Sequence, residues 1–108
     1  MAGPDAMSGF TPVLPLAEVP PGTVREVRLG GRSILLCHDS DGLHAVENKC
    51  SHADMPLACG RVRNGWIMCP THGARFDLTT GEPLGPPAPW PIATFAVRVV
   101  DGMVEVAA

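Results

Sequence analysis

Glycine and proline punctuate this chain so closely that a long helix is hard to place anywhere in it. There are twelve of each among 108 residues. Proline lacks the N–H that a helix interior needs, and glycine loses more backbone entropy on ordering than any other residue. Short extended segments joined by tight turns are what remain, so the chain reads as all-β.

The segments can be placed. Phe10 to Leu16 is a first strand whose Pro12 and Pro15 remove ladder donors and suit a sheet edge. Thr23 to Leu29 and Arg32 to His38 flank Gly30-Gly31, a pair able to take the positive φ angles of a two-residue hairpin turn. The Asp39-Ser40-Asp41-Gly42 cluster turns the chain into Leu43 to Glu47. Asn64-Gly65 marks a hairpin into Trp66, Ile67 and Met68, and a further strand begins near Ala74. Ile92 to Val100 alternates inward and outward positions before Asp101-Gly102 turns it into Met103 to Val106, a hairpin expected to close the barrel. Between these lies Pro83 to Pro91, where five of nine residues are proline, a stiff lid-like loop.

A chain of this length makes one domain, and no repeat divides it. Residues 1–9 read as a loose tail, 10–108 as a single domain, about 48–80 as an inserted subdomain and 83–91 as the lid. The expected architecture is a small antiparallel barrel or sandwich with that insertion.

Net charge is −3, and lysines and arginines are scattered rather than clustered, which argues against nucleic acid. No stretch approaches the roughly 20 apolar residues of a membrane span, nor is there a basic start followed by an apolar run. A cytoplasmic monomer is expected. In that setting four cysteines point to metal before disulfides.

Two mixed pairs carry the chemistry. Cys50-Ser51-His52 and Cys69-Pro70-Thr71-His72 are separated by 16 residues that include a strand pair able to bring them together. Thiolate and imidazole together suit zinc, copper or iron–sulfur, and the ligand set alone leaves these open. Zinc fingers commonly put two cysteines in one knuckle and two histidines on one helix, whereas here each loop delivers one of each. If the loops face one another, the cysteines can take one iron and the histidines a second.

At Cys50-Ser51-His52 and Cys69-Pro70-Thr71-His72-Gly73 the chain resembles the paired cluster-binding boxes of the Rieske family. The likeness continues through Leu57, Gly60, Phe76-Asp77, Gly81 and the segment Gly85 to Pro89, covering everything from Phe10 onward. It implies a three-sheet antiparallel β fold, the Rieske fold. One 2Fe-2S cluster would sit at the tip of the inserted subdomain, ligated by Cys50, His52, Cys69 and His72, with its histidines near the surface. Four thiolates leave an oxidised 2Fe-2S centre at −2, while two neutral imidazoles in place of two thiolates leave it at zero and ease reduction. The gap between plant-type ferredoxins at about −400 mV and Rieske centres from about −150 mV upward is roughly 250 mV or more, about 6 kcal/mol for one electron.

Further implications follow from the resemblance. Rieske proteins of quinol-oxidising complexes have two extra cysteines bridging the cluster loops, and here those positions are Met55 and Thr71. The same proteins place Ser and Tyr donors where this chain has Ala74 and Phe76, neither of which donates a side-chain hydrogen bond. Fewer donors leave the reduced cluster less stabilised, so the potential belongs toward the low end of the range.

That pattern is similar to ferredoxins that pass single electrons from an NAD(P)H-dependent flavin reductase to the terminal Rieske oxygenase of aromatic-ring dioxygenases. Such a chain is a carrier and not an enzyme by itself. The small Rieske subunit of assimilatory nitrite reductase is the alternative within the family, and a structural zinc module the alternative outside it. Cys37, ending the apolar run Ile34-Leu35-Leu36, is expected in the core; Cys59, His38 and His44 are given no site role.

Overall fold

The computed structural model describes residues 9–40, 42–49, 60–69, 73–84 and 91–107. Among the described residues nine strands run in chain order: β1 Phe10–Pro15, β2 Val24–Leu29, β3 Arg32–Asp39, β4 Gly42–Glu47, β5 Arg61–Arg63, β6 Trp66–Met68, β7 Arg75–Asp77, β8 Thr94–Val100 and β9 Met103–Ala107. A 3-10 turn, Leu16–Glu18, follows β1. No helix among the described residues is long and apolar enough to cross a membrane.

Tight turns set the registers. Leu29 faces Arg32 across Gly30-Gly31, whose φ values of 59° and 80° are both positive, as a type I′ turn requires. Asn64-Gly65 and Asp101-Gly102 make two more two-residue turns with positive φ at both positions.

Six strands form one antiparallel sheet in the order β1-β9-β8-β4-β3-β2, and β5-β6-β7 form a second. The three expected sheets are visible as three three-stranded ladders. Two of them are continuous, joined where Ala45 meets Phe95 and Val46 meets Thr94. The terminal strands β1 and β2 approach each other, so the large sheet is a nearly closed barrel. Pro12 and Pro15 lie on β1 at its edge, with a register shift between Pro12 and Leu14.

Several strand limits differ by one or two residues from the sequence expectation, and two of these shifts have a visible hydrogen-bond partner. Leu16 leaves β1 to open the 3-10 turn, its N–H bonded to the Gly102 carbonyl at 2.9 Å. β8 begins at Thr94 rather than Ile92, because the Ile92 N–H is drawn to the Gly81 carbonyl at 2.9 Å.

Strand β3 separates two apolar layers. Ile34 and Leu36 point into the barrel with Leu14, Val19, Ala45, Val104 and Val106. Leu35 and Cys37 point the other way, against Val46, Ile67, Phe76, Leu78 and Ile92 beneath the small sheet. Successive side chains alternate faces, so a strand covered on both sides must be apolar throughout, and Ile34-Leu35-Leu36-Cys37 is. The expected tail lies, apart from Gly9, outside the described residues, as do Gly85 to Trp90 of the lid.

Candidate metal centre

Cys69 is the one candidate ligand among the described residues; Cys50, His52 and His72 lie outside them, as do Met55, Leu57, Cys59 and Thr71. It follows directly on β6. Its side chain is fully buried and its thiol unbridged, in an apolar layer with Ile67, Ala74 and Phe76. The Cys69 N–H donates to the Ala74 carbonyl at 2.7 Å, and the Gly73 N–H donates back to the Cys69 carbonyl at 3.1 Å. The base of the loop that contains His72 is therefore closed on itself, with Gly73 at φ 73°.

The segment that follows the first Cys/His pair re-enters the described residues at the same end of the small sheet. After the pair, the chain returns at Gly60 and enters β5 at Arg61, which faces Met68, and Met68 in turn faces Arg75. Gly60, Cys69 and Ala74 are thus each one residue beyond the same cross-strand row. Both segments that hold the Cys and His candidates join the small sheet at that end.

The donor environment fits a thiolate-held centre. A buried, unbridged thiol at the base of a pinned loop can be given to a metal without breaking a disulfide or a hydrogen bond. Ala74 and Phe76 are fully buried next to it and bring no side-chain donor. Among the described residues no group of three His, Cys, Asp or Glu side chains could hold a metal ion.

The remaining polar groups are structural. Cys37 is buried and unbridged; desolvation first, and the charge of Asp39 second, push its thiol from 9.0 up to about 12. It stays protonated at neutral pH, matching the core role expected of it. His38 sets Nδ1 2.7 Å from the Val19 carbonyl. Asp39 was not singled out by sequence reasoning: its buried carboxylate accepts the Gly65 N–H, tying the end of β3 to the β5–β6 turn 26 residues on. No local pattern announces such a contact.

Gly81 can be nothing but glycine as the backbone stands. Its φ is +78°, and a Cβ there would lie 2.0 Å from the Ile92 carbonyl oxygen. It holds the start of the Pro-rich segment against its end, since Leu84 bonds to Arg75 while Ile92 bonds to Gly81.

Comparison with known proteins agrees with this architecture. The family described as Rieske [2Fe-2S] domain matches residues 9–96. Ferredoxin CarAc of Metapseudomonas resinovorans is 35% identical over 92 residues, 84% of this chain and 86% of that one. The ferredoxin of carbazole 1,9a-dioxygenase from Nocardioides aromaticivorans IC177 superposes with a TM-score of 0.85 at 31% identity, covering 91% of this chain and 96% of its own. A chain in a complex of reduced oxygenase and oxidized ferredoxin of carbazole 1,9a-dioxygenase superposes at 0.83 with 33% identity, covering 93% and 94%. Two Cys/His segments joined to one end of a small sheet, a barrel beneath it and a match over most of the length have one meaning: the chain belongs to the Rieske [2Fe-2S] domain family and carries its 2Fe-2S cluster on cysteine and histidine.

Proposed function

We propose that Cys50, His52, Cys69 and His72 hold the cluster and that the chain is a one-electron carrier, a monomer working in the cytoplasm between an NAD(P)H-dependent flavin reductase and the terminal oxygenase of an aromatic-ring dioxygenase. The observation that carries this reading is the convergence of both Cys/His segments on the Gly60, Cys69 and Ala74 end of the small sheet. Several relatives above 30% identity that the chain matches over most of their own length are ferredoxins or ferredoxin components of dioxygenase systems, which favours this role over that of a nitrite reductase subunit.

When bound, the cluster supplies a site that takes up and returns a single electron. The chain's own residues set the terms. Cys69 offers its sulfur from an apolar layer closed to water, and the Cys69–Ala74 bond closes the base of the segment in which His72 falls. The apolar Ala74 and Phe76 withhold side-chain hydrogen bonds, which keeps the potential low within the range from about −150 to +300 mV. The ends of the lid expected over 83–91 are anchored, Leu84 on Arg75 of β7 and Ile92 on Gly81.

Reconstitution tests the role. The holoprotein, added to the reductase and oxygenase of carbazole 1,9a-dioxygenase as surrogates, should be reduced by NADH only through the reductase and then support product formation. Reductase-independent turnover, or none in the presence of a chain that accepts electrons, would contradict it.

A further inference from the structure

Strand alternation sorts the small sheet into two faces. Val62, Ile67 and Phe76 turn toward the barrel, while Arg61, Arg63, Trp66, Met68, Arg75 and Asp77 turn outward. Register places them in two rows, Arg61–Met68–Arg75 and Arg63–Trp66–Asp77. The first row adjoins Cys69. The second is two residues farther away, about 7 Å at the usual strand rise.

This face is positive on a chain whose formal charge is −3. All three arginines are exposed, and Trp66 and Met68 are half-buried between them. The Arg75 guanidinium stands 5.6 Å from the centre of the Trp66 ring, close enough for a cation–π contact. Arg61 and Arg63 have no hydrogen-bond or ion-pair partner among the described residues. The one acid in the rows, Asp77, turns its Oδ1 to the Thr79 and Thr80 N–H groups at 2.7 and 3.0 Å. Beside β5 runs a groove of about 450 Å³ between these side chains and Gly22 and Val24 of the barrel.

We infer that the outer face of β5-β6-β7 is a docking surface for a redox protein that presents carboxylates around its own electron-transfer site. Arginine, tryptophan and methionine are the residue types enriched where proteins bind one another. Three arginines against one occupied acid select an acidic surface and repel a second copy of the same face. The inference rests on the electron-carrier reading, and adds to it the partner's chemistry and a contact surface beside the cluster end. A complementary face of this kind acts mainly on the association rate and is screened by salt.

The test uses two redox proteins of opposite charge with the intact holoprotein. Reduced plant-type ferredoxin, an acidic donor near −400 mV by the typical value, is the probe for the face; ferricytochrome c, a basic acceptor, is the control. At low ionic strength the R61E/R75E double variant should be reduced by the ferredoxin at least tenfold more slowly than the unmodified protein. R28E/R32E, with the same change in net charge at the far end of β2, should change by less than about threefold, and high salt should erase the difference. Oxidation by cytochrome c should not slow in either variant. If R61E/R75E fails to assemble the cluster, R61Q/R75Q should show the same selectivity, by about threefold or more.

Equal slowing in both double variants, or slowing of both reactions, would overturn the docking face. So would salt-dependent self-association of the unmodified protein that R61E/R75E abolishes. Failure of the unmodified protein to exchange electrons with either probe would instead overturn the carrier reading itself.

Discussion

The barrel interior and the layer beneath the small sheet share β3 but are built on opposite plans. Around the interior, ladders of five or six residue pairs link β1 to β9, β9 to β8, β4 to β3 and β3 to β2. The side chains between them are aliphatic. Beneath the small sheet each strand has three residues and three pairs per neighbour, and two of the nine buried side chains are thiols. Three strands that short do not stand alone in water. The first region is held by its own packing, the second by docking on β3, by the Asp39–Gly65 contact and, on the proposed ligand set, by the cluster. With the cluster on Cys69 as proposed, stability and redox chemistry fall in separate layers.

Removing the cluster should break that division most visibly. Cys69→Ala is expected to abolish cluster assembly, seen as complete loss of visible absorption, because metal binding and local folding are coupled. Hydrogen exchange should then speed up across β5, β6 and β7 while β3, β8 and β9 keep their protection. Uniform loss of protection would mean that the layers are not separable.

A pair of core truncations sharpens the contrast. Phe76→Ala should cost about 3–5 kcal/mol and Leu36→Ala about 2–5 kcal/mol in denaturant unfolding, both by opening cavities. Their signatures should differ: Phe76→Ala lowers iron content, whereas Leu36→Ala leaves iron and the EPR spectrum of the folded fraction unchanged. Gly81→Ala comes next, at about 2 kcal/mol or more from forced backbone strain. Its Cβ would displace the Ile92 carbonyl, so the damage should concentrate at Arg75–Leu84 and Ile92 in exchange measurements.

The smallest effect depends on pH. Cys37 ionises near 12 in the folded chain but near 9.0 when free of the fold, so the unfolded state loses its proton first. The contribution of the neutral buried thiol is therefore complete below pH 9 and is lost as pH rises toward 12. Over that window Cys37→Val should gain on the unmodified protein by up to about 1.4 kcal/mol per pH unit in chemical unfolding. A parallel pH dependence in both would show that the thiol is not buried as described.

Much of the barrel was legible in the sequence because its turns are local. Gly30-Gly31 and Asp101-Gly102 in the barrel, like Asn64-Gly65 in the small sheet, each set a register by themselves, and Pro12 and Pro15 put β1 at an edge. What could not be read depends on partners distant in the chain: the two-pair joint of β4 to β8, the late start of β8 at Thr94, and the reach of Asp39 to Gly65. Cys69 was legible as a candidate ligand from its spacing to His72, and the structure adds its burial and the closed loop base. The arginine face was written in Arg61-Val62-Arg63, Trp66-Ile67-Met68 and Arg75-Phe76-Asp77, but three-residue strands have too little periodicity to say which side faces out.

The central claim is that two cysteines and two histidines from those loops hold one pair of irons. Electron-nuclear double resonance on the dithionite-reduced protein, grown with 15N-histidine and assayed for iron and zinc, tests it most directly. The account predicts two irons per chain and coupling to two histidine nitrogens, one of which disappears in a His52→Cys or His72→Cys variant that retains a cluster. A spectrum with no histidine coupling, or a colourless protein holding one zinc, would contradict it.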